Sequence, residues 1–334
     1  MLIPFCFFYY FVLRDLLFLQ TIMNNMNVLS IINVTKRYAT QTALSNISIE
    51  VPKGSVYGLL GPNGAGKTSL IRIINQITGP DEGEILFNGE HLRPNHIRQI
   101  GYLPEERGLY KKMEVGEQAL YLAQLKGMSR ADAIVRLKDW FERFEINGWW
   151  RKKVEELSKG MAQKVQFIVT VVHEPQLLIL DEPFSGFDPI NANLIKDELL
   201  RLRDNGATII LSTHRMESVE ELCSHIALLN LSKKVLDGSV PEIRKTFRSN
   251  VYEVAYEGNT IGLANSLWGD FELIENTNVG DHWLAKIRLA GNTSTNELIQ
   301  SLIGNVTIIS FKEIIPGMND IFIRLVTQKE EVKA

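Results

Sequence analysis

Between Val28 and Val51 apolar and polar residues alternate, which predicts two short strands, Leu29 to Val34 and Ala43 to Val51. Pro52-Lys53-Gly54 turns the chain into Ser55-Val56-Tyr57-Gly58-Leu59-Leu60, a short buried strand. An apolar-faced helix is expected from Ser69 to Gln76. A dense turn cluster follows at Gly79-Pro80-Asp81-Glu82-Gly83, then a strand from Glu84 with its own turn at Asn88-Gly89, and another strand end at Ile100 to Pro104.

From Lys111 to Arg151 the period changes. Leu120, Leu122, Ala123 and Leu125, then Ile134, Leu137, Trp140, Phe141 and Phe144, recur at helical spacing and predict a small helical insertion. Trp149 and Trp150 read as part of its local core. Pro175 closes the next helix, and Gln176 to Leu180 is an unbroken apolar run of the kind found in parallel sheets covered on both faces. A helix from Asn191 to Arg203, stopped by Asn205-Gly206, leads to a second buried strand, Ala207 to Ser212. This alternation argues for an α/β domain. It ends around Gly238 to Ser249. Beyond it, strand-like runs (Val251 to Tyr256, Trp283 to Leu289, Val306 to Ile315) and a helical run (Asn296 to Ile303) predict a smaller α+β domain.

At 334 residues the chain has room for both domains, and its net charge of −3 gives no case for nucleic-acid binding. Its two cysteines, Cys6 and Cys223, form no metal or redox motif and fit a reducing compartment. Met1 to Leu13 is almost wholly apolar, yet at ~1.5 Å per residue it covers only about 20 Å of a ~30 Å hydrocarbon core. Continuing through Leu16 to Leu19 would bury Arg14 and Asp15, at roughly 2.5–3.5 kcal/mol each. No basic residue precedes the run and no cleavage site follows it. Residues 1–25 are therefore expected to reflect a start that belongs at Met23 or Met26, ahead of a membrane-surface anchor, with a spanning helix third.

Gly61-Pro62-Asn63-Gly64-Ala65-Gly66-Lys67-Thr68 is a complete G-x-x-x-x-G-K-[ST] phosphate-binding loop, set between strand and helix as the motif requires. Its glycines let successive N–H groups turn toward phosphate oxygens at the positive end of the new helix. Lys67 is placed to reach the β- and γ-phosphates and Thr68 to ligate Mg²⁺, with Ser69 counted among the nucleotide-binding candidates. Downstream, Leu177 to Leu180 delivers Asp181 and Glu182 to the carboxyl end of a buried strand, where open α/β sheets bind ligands. Asp181 is placed to hold Mg²⁺ through water, and Glu182 to act as general base toward the attacking water.

With these residues in place, the chain from about Val28 to Phe247 resembles the nucleotide-binding subunit of an ATP-binding cassette (ABC) transporter. Leu157-Ser158-Lys159-Gly160-Met161 resembles the family signature LSGGQ, matching at Ser158 and Gly160 and departing at Lys159 and Met161. In the family this signature grips the nucleotide bound by the opposite subunit. Independently, Ser158 is a good N-cap, Gly160 permits close backbone approach, and a helix N-terminus attracts anions. Tyr38 resembles the aromatic that stacks on adenine, though half-buried core is an equal reading. Ser185-Gly186-Phe187-Asp188 resembles the D-loop, and His214 the switch histidine that senses the γ-phosphate. Where the family has the Q-loop glutamine this chain has Glu105, a hard oxygen ligand for Mg²⁺ that implies stronger metal dependence than an amide would give.

The resemblance implies a P-loop ABC cassette: a mixed-sheet core, an antiparallel β subdomain and a helical insertion (about 108–172) within 26–247, then an α+β accessory domain at 248–334. It also implies an ATPase using ATP and Mg²⁺, active as a homodimer or heterodimer of such subunits. The ATPase would drive a separate membrane permease, contacted near Gly108 to Met113, from the cytoplasmic face of the cell membrane. The C-terminal domain and Glu105 resemble an exporter-type subgroup that includes sodium-efflux ATPases. A soluble ABC ATPase acting on ribosomes or DNA is the alternative, disfavoured by a single cassette and a short insertion. A small-molecule kinase leaves Ser158, Asp181, Glu182 and His214 unexplained together. No nucleic-acid partner is expected.

Overall fold

The computed structural model describes residues 26–106, 108–291 and 293–331, so the readings placed on residues 1–25 lie outside it. The chain passes from one compact unit to a second between Ser239 and Val240.

In the first unit the strands are β1 (Asn27–Tyr38), β2 (Gln41–Pro52), β3 (Val56–Leu60), β4 (Glu82–Phe87), β5 (Glu90–His91), β6 (Ile100–Leu103), β7 (Leu177–Asp181), β8 (Thr208–Ser212), β9 (His225–Asn230) and β10 (Lys233–Ser239). Its helices are α1 (Lys67–Ile74), α2 (Val115–Leu125), α3 (Arg130–Arg143), α4 (Lys159–Val171), α5 (Pro189–Asp204) and α6 (Met216–Leu222). The central six-stranded sheet runs β10-β9-β3-β8-β7-β6, parallel throughout except for the β9/β10 hairpin. An antiparallel sheet, β2-β1-β4-β5, forms a second layer. Every residue of β3, β7 and β8 is buried, so the strands that lead into the site are anchored along their whole length. Each Leu or Ile so enclosed contributes about 1.5–3 kcal/mol.

Helix α1 begins at Lys67, earlier than Ser69, because the phosphate-loop motif itself forms the helix N-terminus. The helical insertion is held by aromatic packing: Trp140 on α3 lies 5.7 Å from Phe144 and 6.1 Å, edge-on, from Phe167 on α4. Trp150 packs 5.3 Å from Phe141 and covers Gly116, where any Cβ would come within 2.3 Å of its ring. That is the local core expected of Trp150, although it and Trp149 are both only partly buried.

Just beyond α4, both ring nitrogens of His173 are buried, with only a weak contact to the Ile100 backbone to favour the charged ring. Burial, with the nearby Lys126 ammonium, pushes its pKa from 6.5 down to about 4. Between those values the unfolded chain takes up a proton that the folded chain refuses, so stability falls as pH drops from 6.5 toward 4. The full loss is roughly 3 kcal/mol. Chemical denaturation of a His173→Leu variant is expected to show a flatter acid limb than the wild type; parallel limbs would assign the acid sensitivity elsewhere.

The second unit comprises α7 (Val240–Thr246), β11 (Val251–Glu257), α8 (Thr260–Ser266), β12 (Phe271–Val279), β13 (His282–Leu289), α9 (Thr295–Leu302), β14 (Thr307–Glu313) and α10 (Met318–Glu331). Within it, β11 to β14 form a β-α-β-β-α-β unit whose antiparallel sheet is ordered β12-β13-β11-β14, the ferredoxin-like arrangement. Val254, Tyr256, Ala285 and Ile287 pack beneath Leu263 of α8 and Leu298 and Leu302 of α9. The sequence shows β11, β13, β14 and α9 but not β12, an edge strand whose residues are mostly exposed and therefore carry little apolar signal.

Candidate nucleotide site

The carboxyl end of β3 opens into a loop whose conformation demands glycine. Gly61 and Gly66 have φ of 149° and 111°, and a Cβ at either would come within 2.3 Å of a backbone carbonyl, Leu229 O or Ala43 O. The loop closes on itself through Lys67, whose ammonium donates to the carbonyls of Gly61 (2.7 Å) and Pro62 (3.2 Å). Lys67 is 8% exposed, and burial lowers its pKa against the opposing pull of Glu182, Asp181 and Glu105.

Strand β7 ends at Asp181, 4% exposed, whose carboxyl is raised by burial and by the neighbouring Glu105 and Glu182 charges. Glu182 follows in the left-handed region at φ 49°, a conformation that costs a side-chain-bearing residue about 1–3 kcal/mol and persists only where neighbours over-determine it. They do so here. The Glu182 N–H donates to Ser212 O (2.9 Å), the Thr213 hydroxyl donates to its Oε2 (3.2 Å), and the His214 N–H donates to its Oε1 (2.9 Å). The His214 ring Nδ1 also lies 2.7 Å from that Oε1. Strand β8 thus delivers a clamp for the carboxylate, with Thr213 fully buried and the histidine ring largely exposed.

A cavity of about 210 Å³ gathers Asn63, Gly64, Gly66, Lys67, Thr68 and Ser69 with Glu105, Asp181, Glu182 and His214. Chain segments more than a hundred residues apart thus meet in one place. Ala65 is buried within the loop, and the Gly61 and Pro62 carbonyls hold Lys67. Gln41 and Ala43 of β2 also line the cavity, which no motif signals. Tyr38 ends β1 outside it, 41% exposed, with Lys36 Nζ 5.7 Å from its ring centre.

Ser158 caps α4, its Oγ accepting from the Met161 N–H (3.3 Å), and Gly160 has open space around it. Neither lines the 210 Å³ cavity. Asp188 caps α5, accepting from the Asn191 N–H (3.0 Å), a bond that lowers its carboxyl pKa.

Among the described residues no group of three His, Cys, Asp or Glu side chains is arranged to hold a metal unaided. The Thr68 hydroxyl with Asp181 and Glu105 is a hard-oxygen set in one cavity, which fits Mg²⁺, an ion usually bound by one or two carboxylates together with substrate phosphates.

The family model described as ABC transporter matches residues 44–185, and that of the ATP-binding protein DrrA1-3-like C-terminal domain matches residues 238–326. The ABC transporter ATP-binding protein YhaQ of Bacillus subtilis is 41% identical over 300 residues, covering 90% of this chain and 98% of YhaQ. A Nod factor export ATP-binding protein I of Burkholderia lata is 35% identical over 210 residues, covering 62% of this chain and 69% of that protein. Among solved structures, an ATP-binding subunit of an ABC transporter superposes with a TM-score of 0.62 at 32% identity, over 66% of this chain and 93% of that one.

Proposed function

Since the chain belongs to the family of ABC transporter ATP-binding proteins, we propose that it hydrolyses Mg-ATP as one half of a two-subunit engine that drives a separate membrane permease in export. The observation that carries this is the clamped Glu182 carboxylate sharing one cavity with Lys67 and the phosphate loop.

In this reading the loop N–H groups and the Lys67 ammonium bind the β- and γ-phosphates. Lys67 is already stripped of much of its water, so phosphate oxygens gain its charge at little further desolvation cost. Thr68, Asp181 and Glu105 would hold Mg²⁺, which when bound supplies positive charge against the phosphate oxygens. Glu182 takes the proton of the attacking water at its carboxylate. His214 and Thr213 keep that carboxylate aimed, and the His214 ring remains open to the γ-phosphate side of the cavity. Ser158 and Gly160 serve the nucleotide of the second subunit, in keeping with their position outside this chain's own phosphate cavity. Tyr38 is assigned to adenine and Asp188 to the loop that crosses to the partner subunit.

Among the described residues no helix is long and apolar enough to cross a membrane, which is consistent with a permease supplied by another polypeptide. We assign the subunit to the cytoplasmic face of the membrane. Export is supported by the Nod factor export relative; the cargo would be defined by the permease.

The test is to tag the Glu182→Gln variant, trap it with ATP in its native cell, solubilise the membranes gently and identify what co-purifies. A multi-span membrane protein in near-equal amount is expected. Recovery only from the soluble fraction, with ribosomal or nucleic-acid partners, would overturn transport and leave the ATPase assignment standing.

A further inference from the structure

The geometry points to Gln163 as a positioning residue for hydrolysis, one that ties the helix opened by Ser158 to the turn carrying Glu182 within the same chain; this inference rests on the reading of Glu182 given above. Gln163 stands one turn into α4. Its Nε2 donates to the carbonyl of Ser185 (2.5 Å) and to that of Pro183 (3.3 Å), the residues three and one beyond Glu182. Its Oε1 is buried with no partner. The side chain therefore uses its donors on that turn and leaves its acceptor unmet, which marks the two carbonyls as what it is there to hold.

Neighbours on the same helix face repeat the pattern. Lys159, one turn earlier, lies so close over Gly186 that a Cβ there would come within 2.8 Å of its Cε. Gln166, one turn later and 6% exposed, directs its Nε2 at the carbonyls of Pro104 and Glu106, each 3.5 Å away. The face Lys159-Gln163-Gln166 thus spans the loop after β7 and the loop after β6. The turn it grips is closed by the Ser185 N–H donating to Glu182 O (3.1 Å) and starts from the left-handed backbone of Glu182. A left-handed residue holds its side-chain direction only as well as its flanks are held. Thr213 and His214 grip the Glu182 carboxylate; Gln163 grips the backbone that aims it. Movement of α4, whose first turn carries Ser158 and Gly160, is thereby passed to the general base through two hydrogen bonds.

Among the described residues, the charged groups sharing the adjoining cavity of about 660 Å³ are Lys159 on the same helix and Glu105, Glu106, Asp181 and Glu182 from the facing loops. This permits a specific test. In Gln163→Glu the shape is kept but an ionised carboxylate repels the two carbonyls, whereas a protonated one donates a hydrogen bond again. The four surrounding carboxylates raise the pKa of the introduced group toward the working range, against the opposing pull of the single Lys159 ammonium.

ATP turnover is measured from pH 8 to pH 6 for the wild type, Gln163→Glu, Gln163→Asn and Glu182→Gln. At pH 8 the kcat of Gln163→Glu is expected to fall about tenfold with KM for ATP within about twofold, since small misplacements of a reacting group cost rate rather than ground-state binding. Its ratio to wild type climbs back as pH falls. Gln163→Asn, too short to span the gap, falls similarly and shows no recovery. Wild-type kcat in Gln163→Glu, or a ratio to wild type that stays flat with pH, would overturn the role of Gln163 while Glu182→Gln still reports on the base. A Glu182→Gln variant that turns over like the wild type would instead overturn the reading of Glu182, and this inference with it.

Discussion

Glu182→Gln is expected to lower ATP turnover by about 10²–10⁴-fold, the usual contribution of a positioned general base, while ATP binding survives. The amide is the same size; its carbonyl oxygen still accepts from the His214 N–H, and its NH2 donates to the Thr213 hydroxyl, which reverses its role from donor to acceptor, so the turn at φ 49° keeps its supports. What it loses is the capacity to take a proton from the attacking water at neutral pH. Binding that is no longer discharged by hydrolysis leaves ATP between two subunits, so the variant is also expected to run as a dimer with ATP and as a monomer without it. Phosphate release and light scattering on the same sample check both halves. Near-wild-type turnover would remove Glu182 from the base role.

Lys67→Ala is expected to act on the other side of the same cavity, weakening ATP binding by about 10–100-fold, the worth of a charge-assisted hydrogen bond at roughly 1.5–3 kcal/mol. The fold should tolerate the change. Lys67 is a buried cation whose pKa burial has already lowered, so its removal relieves desolvation even as the Gly61 and Pro62 carbonyls lose their donor. A fluorescent nucleotide titration alongside a melting curve separates the two effects. Unchanged affinity with a collapsed melting temperature would make Lys67 a brace of the loop rather than a ligand for phosphate.

The two variants thus divide a single cavity into binding and turnover. Their contrast also bears on Gln163, whose expected signature, loss of rate with affinity kept, matches that of Glu182 and not that of Lys67.

Much of this was legible in the sequence because its signals are local. A glycine required at Gly61 or Gly66 and an apolar run wholly buried on both faces at Leu177 to Leu180 are each determined within a few residues, by backbone sterics or by burial. Asp181 and Glu182 could be placed for the same reason, since a buried strand presents its next residues at the sheet's carboxyl edge. The end of the Ser158 helix was readable too, because a serine before a helix caps it wherever the helix goes.

The sequence by itself therefore determined the loop, the acidic pair, the helix cap and the alternation of strands and helices. Only the tertiary structure decided that β8 would bring Thr213 and His214 to clamp Glu182, that Gln41 and Ala43 would line the same cavity, and that Gln163 would reach Pro183 and Ser185. Those are contacts between segments joined by no shared periodicity. A single glutamine, threonine or histidine carries the same propensity wherever it stands, and its role comes from which carbonyl or carboxylate the packed sheet sets within 3 Å or so of it.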